Sequence, residues 1–151
     1  TDFRAGGLLS LMCLVFFSKF YKAELDRMRK TCNDREDFFI AISSINLTSR
    51  LMSYLHMNSH MNMPASHNLL KAGRFQFKLY SKILSESKQA FFVLQSEAFL
   101  YLFYHWIKTS GTPPRVPPPN FETVLGNVIE MVDSVLQDDT INSCHDLQKA
   151  L

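Results

Sequence analysis

Apolar side chains recur along this chain at spacings of three and four, the period of an α-helix rather than a strand. Leu8 to about Tyr21 is apolar nearly all round, which predicts a buried central helix. Lys22–Lys30 (KAELDRMRK) is charged and reads as a solvated extension of it. Asp34 predicts an N-cap, with Asp37 three residues on as the shorter acid of a capping box. The helix that follows runs to about Met57 on Phe38, Ile42, Ile45, Leu51, Met52 and Leu55. His56–His67 has no pattern and reads as a loop around Pro64. A helix from Asn68 or Arg74 puts Phe75, Leu79 and Ile83 on one stripe. Another runs from near Ser85 to Thr109, with Gly111 as its stop. Pro113–Pro119 (PPRVPPP) must be extended, since proline fixes φ and lacks a donor. Asn120 then caps the clearest helix, in which Phe121, Val124, Leu125, Val128, Ile129, Val132, Val135 and Leu136 follow the rule without a gap. No period-two pattern and no internal repeat survives. The fold class is all-α: one compact domain of five to six helices over residues 1–137. Residues 138–151 are acidic and polar, a tail or a short further helix.

Composition narrows the class. At 151 residues the chain is one ordinary domain, and 46% apolar against 20% charged residues can fill a core. Sixteen cations against fourteen acids leave +2, too little excess for a dedicated nucleic-acid binder. Cys13, Cys32 and Cys144 are too scattered for a disulfide framework or a zinc ribbon, and they fit a reducing, cytoplasmic setting. Asn46-Leu47-Thr48 reads as a chance match to the glycosylation sequon. Leu8–Phe17 is about half of what spans a bilayer. Gln95, Ser96 and Glu97 interrupt the longer run Phe91–Ile107, so any membrane contact is peripheral. With no initiator Met, the chain reads as a piece of a longer one.

Few residues suggest chemistry. Lys71, Arg74, Lys78 and Lys82 form a basic stripe at helical spacing. It is either a solvated face or a docking surface for an acidic protein or an anionic membrane. His56 and His60 stand one turn apart with His67 beyond, but no Glu follows His56, and loop histidines fit better than a metal site. Cys13 reads as an inert core thiol, and Cys144-His145 adjacency does not make a nucleophile and base. Tyr101, Phe103, Tyr104 and Trp106 read as core. Gly6-Gly7 lacks the Lys and Ser or Thr of a phosphate loop. No self-contained active site, metal or cofactor is indicated. In Thr1–Gly7 (TDFRAGG) a lone Arg4 stands between an acid and small residues that would let another backbone approach. Asp2 either caps the helix or holds Arg4 by a bidentate contact. The plainer reading is a capping turn with an exposed Arg.

Thr1–Leu11 (TDFRAGGLLSL) closely resembles the TDFRGxGxLGL signature of the ELMO (engulfment and cell motility) domain family. Phe39–Leu51 (FIAISSINLTSRL), Phe75–Trp106 and Phe121–Leu136 resemble that family's later segments, in order. Ala5 and Ser10 stand where the family has Gly. The resemblance implies an all-helical domain. It also implies a GTPase-activating protein for Arf and Arf-like small GTPases, with Arg4 as an arginine finger given in trans. Asp2 would position Arg4, while Thr1, Phe3, Gly6 and Gly7 would bind, with Lys71, Arg74, Lys78 and Lys82 as a secondary contact. The partner would carry the GTP and Mg²⁺, so no cofactor is expected in this chain. The family's other mode is a non-catalytic scaffold or adaptor in a cytoskeletal, ciliary or exchange-factor assembly.

Overall fold

A computed structural model of the protein describes residues 7–33, 35, 37–57, 70–110 and 119–151. These form seven helices and no strand: α1 (Gly7–Phe20), α2 (Lys22–Asn33), α3 (Ile40–Tyr54), α4 (Arg74–Glu86), α5 (Ala90–Ser110), α6 (Phe121–Val135) and α7 (Cys144–Ala150). The all-α expectation holds, with one or two helices more than the periodicity predicted. The charged extension of α1 is a helix of its own, and the chain after Asp138 ends in α7. No described helix is long and apolar enough to cross a membrane.

The central helix is α5 rather than α1. At 21 residues it is the longest, and α1, α3, α4, α6 and α7 all pack against it. Its buried residues, among them Leu94, Gln95, Ala98, Phe99, Leu102 and Trp106, leave little surface for water. Phe38 stacks or abuts Phe99, Phe103 and Trp106, fastening the approach to α3 onto α5. Phe103 and Trp106 are core as expected, whereas Tyr101 is half-buried and Tyr104 is exposed. On α4, Leu79 and Ile83 are buried but Phe75, expected on the same stripe, is exposed, as is Ile42 on α3.

Local rules explain where two helices start. The Asn120 carboxamide accepts from the Glu122 N–H at 2.9 Å, the cap expected for α6. At α7 the Ser143 hydroxyl accepts from the Asp146 N–H, and the Asp146 carboxylate accepts from the N–H of Asn142, one residue before the cap. The cap expected for α3 is different. Asp34 lies outside the described residues, and α3 begins after Phe39 with no side-chain cap. Asp37 instead takes Arg35 in a bidentate pair, Nε at 2.9 Å and Nη2 at 2.7 Å, and accepts from Trp106 Nε1 at 3.2 Å. Arg35 also donates to the Ser110 hydroxyl. A planar guanidinium fork matches a carboxylate better than a helix terminus does. The α2–α3 connection is thereby tied to the end of α5.

Two further polar ties cross the bundle. Asp133 on α6 accepts from Tyr54 of α3 at 2.7 Å and from Gln76 of α4 at 3.2 Å. Tyr21, the single residue between α1 and α2, donates to Glu97 of α5 at 2.7 Å and accepts from Gln148 of α7. The segments expected around Pro64 and over Pro113–Pro119 fall almost wholly outside the described residues, as do His60, His67 and Gly111.

The last helix belongs to the same core, because Leu147 is fully buried in it with Leu136 and Ile141. Leu147→Ala should therefore destabilise the whole fold by about 2–5 kcal/mol in one cooperative urea transition; an early separate transition would show α7 to be an independent tail. The Arg35 guanidinium holds the Asp37 carboxyl below its ordinary value of 3.8. A lowered carboxyl contributes stability that is complete above the unfolded value and is lost as pH falls through the folded one. The stability gap between the parent and Asp37→Asn should thus be constant near neutrality and shrink below pH 3.8. A gap unchanged in acid would show that the charge on Asp37 does not hold the loop.

Candidate functional site

The described part of the N-terminal motif begins at Gly7, whose φ of +52° is left-handed. A Cβ there would meet nothing within 4 Å, so glycine serves the backbone and not the packing. Another residue would cost about 1–2 kcal/mol in that conformation. Thr1, Asp2, Phe3, Arg4 and Gly6 lie outside the described residues. The site that can be built upward from observed geometry is therefore the helix they lead into.

α1 turns two small side chains and one aromatic ring inward. Ser10, Cys13 and Phe17 are its buried residues, and they lie where α1 meets α3 and α5. Cys13 contacts the Thr48 hydroxyl of α3, and burial pushes its thiol up to about 12, which makes it the inert core thiol expected. The large apolar residues point the other way. Leu8 is 70% exposed and Val15 59%, with Leu11 and Met12 between them. Their spacing of three, one and three puts all four on one stripe of the helix. A helix apolar all round was expected to be buried; it is instead half in and half out, because its narrow face is the one that fits against α3.

At Val15 the stripe opens into a groove of about 410 Å³ between α1, α2 and the start of α3. Leu14, Val15, Leu25, Ile40 and Ala41 make its apolar wall, and Ser18 and Arg29 are its polar groups. Phe39 and Ile42, which flank Ile40 and Ala41 in the chain, are also exposed. Monomeric surfaces seldom leave this many large apolar side chains on one continuous stripe and groove unless something docks there.

The other expected residues take separate places. Lys71, Arg74, Lys78 and Lys82 are all exposed, the last three on α4, which packs on α5. His56 adopts φ +57° and its Nε2 lies 3.1 Å from the Ala72 carbonyl, closing a loop. Cys144 and His145 open α7, and His145 is exposed. Among the described residues no group of three His, Cys, Asp or Glu side chains is set to hold a metal. Sequence reasoning missed the outward stripe and Arg29. Its signal was available in the spacing of Leu8, Leu11, Met12 and Val15 opposite Ser10 and Cys13.

A family model described as the ELMO/CED-12 family matches residues 1–116, which include the motif, α1 and α5. No curated protein and no solved structure matches the chain.

The inverted packing of α1 is open to test. Ser10→Leu adds bulk where the helices approach closely and should cost about 1–3 kcal/mol. Leu11→Ser removes an exposed apolar group and should change stability by less than about 0.5 kcal/mol. Urea denaturation of both variants measures this; the reverse order would mean that α1 sits the other way round.

Proposed function

The chain belongs to the ELMO/CED-12 family, and from that premise we propose that it activates GTP hydrolysis by an Arf or Arf-like small GTPase, with Arg4 given in trans. The observation that carries the reading is an exposed apolar helix face that begins at Leu8, four residues after Arg4. A finger works only when its protein is seated firmly enough to hold a guanidinium at the phosphates of another molecule. Leu8, Leu11, Met12 and Val15, with the groove beyond them, supply such a seat on the same stretch of chain.

The chemistry follows from charge. Hydrolysis moves negative charge onto the phosphoryl oxygens and the leaving group. A GTPase alone compensates that charge incompletely. The Arg4 guanidinium is permanently cationic and presents a planar fork of donors, so it stabilises the transition state more than the bound nucleotide. Asp2 orients the fork before docking. Gly6 and Gly7, with Ala5, keep the approach free of bulk, and Thr1 and Phe3 complete the contact. The nucleotide and Mg²⁺ stay with the GTPase, and this chain contributes charge and position. Fingers of this kind are worth about 10³–10⁵ in rate.

Arg4→Lys keeps the charge and loses the fork. In a single-turnover GTP-hydrolysis assay with a panel of Arf-like GTPases, it should lose about 10²-fold or more of the stimulation while still binding. Leu11→Ser should instead weaken binding and leave the rate at saturation near that of the parent. Equal stimulation by Arg4→Lys and the parent would remove Arg4 from the reaction. Binding without any stimulation by the parent would leave the scaffold mode.

A further inference from the structure

The outward face of α4 carries a second surface, independent of the one at α1. Over residues 70–90 the chain has five cations, Lys71, Arg74, Lys78, Lys82 and Lys88, and one acid, Glu86. Elsewhere eleven cations face thirteen acids, so the segment is basic in an otherwise acidic chain. All five cations are exposed, and among the described residues none is in an ion pair. Lys82 alone is anchored, donating to the Asn142 side chain at 2.7 Å.

Large apolar groups lie among these charges. Phe75 is 51% exposed, Phe77 46% and Leu84 41%, and Leu70 stands exposed just before the helix. At 100° per residue, Arg74, Lys78 and Lys82 form one stripe, with Phe75 on one flank and Phe77 and Leu84 on the other. Leu79 and Ile83 hold the opposite side of α4 in the core, so the arrangement is fixed. A solvated basic face would not keep two phenylalanines in water beside it. An acidic peptide along the stripe would neutralise the charges and leave Phe77 and Leu84 exposed. A membrane interface satisfies the stripe and the Phe77–Leu84 flank at once, because Phe77 and Leu84, about 20° apart around the helix, enter the boundary with the acyl chains while the cations beside them meet anionic headgroups. Lysine stems reach from one region to the other.

We propose that α4 is a peripheral docking surface for an anionic phospholipid bilayer, with Arg74 and Lys78 at the headgroups and Phe77 and Leu84 at the interface.

The test is co-sedimentation of the full chain with phosphatidylcholine vesicles and with vesicles that also contain phosphatidylserine. The protein should bind the second and not the first, and release as salt rises to about 0.5 M. A surface cation contributes about fivefold to such partitioning, so Arg74→Glu with Lys78→Glu should lose at least about tenfold. Phe77→Ser with Leu84→Ser should also lose several-fold, and Lys30→Glu, an exposed cation on α2, should lose little. Circular dichroism melts establish that each variant folds, which exposed positions permit. No binding to the phosphatidylserine vesicles by the folded parent overturns the proposal. So does an equal loss with Lys30→Glu, or capture by soluble polyglutamate that ignores Phe77 and Leu84, which would point to an acidic protein.

Discussion

The close approach of α1, α3 and α5 along small polar side chains is the constraint on which the rest of the molecule depends. Ser10 and Cys13 on α1, Ser44 and Thr48 on α3, and Gln95 and Ser96 on α5 are all fully or almost fully buried. Small side chains let helix axes come near each other; Thr48 bonds the Ser44 carbonyl and Gln95 the Ser44 hydroxyl, while the Ser10 and Ser96 hydroxyls and the Gln95 carboxamide oxygen are buried without a hydrogen bond among the described residues. Where the seam narrows, bulk has no room. The leucines, methionine and valine of α1 are therefore left on the outer surface, and the groove beside them exists because α2 turns away at Tyr21 while α3 stays close.

Much of this fold was legible in the sequence, and the reasons differ from element to element. α6 was the plainest, because it combines an asparagine cap with an unbroken apolar stripe against one neighbour. α5 was readable as a helix but not as the hub, since Gln95, Ser96 and Glu97 lower its apparent hydrophobicity. Two of those residues have partners on other elements: Gln95 donates to Ser44 and Glu97 accepts from Tyr21. Burial raises the Glu97 carboxyl, and the donated hydroxyl of Tyr21 works against that shift. Hydropathy has no way to represent such partners in advance. α1 misled for the complementary reason. Periodicity measures how apolar a face is, whereas packing also asks how wide it is.

The candidate site was legible in part. A signature of eleven residues, Thr1–Leu11, pointed to a family, and the family match extends over residues 1–116. Neither signal shows that the stripe of α1 faces outward, because hydrophobic character at positions 8, 11, 12 and 15 fits equally well inside a core. Asp37 shows the same ambiguity at a single residue. An acid three positions after another reads as part of a helix cap, but a nearby arginine and an indole nitrogen offered it stronger partners. Which donor wins is settled by tertiary contacts, and those bring together residues 69 positions apart, Asp37 and Trp106.

The stretch that the family model covers ends at residue 116, before α6 and α7 begin. Yet both of those helices lie on α5 and bury Val124, Leu125, Val128, Val132 and Leu147 with it. A fragment trimmed to the matched boundary would strip one flank of the hub helix bare and cut Gln148 away from Tyr21, the pivot from which α2 departs. The minimal unit that can be excised and still fold is consequently longer than the stretch by which its lineage is recognised.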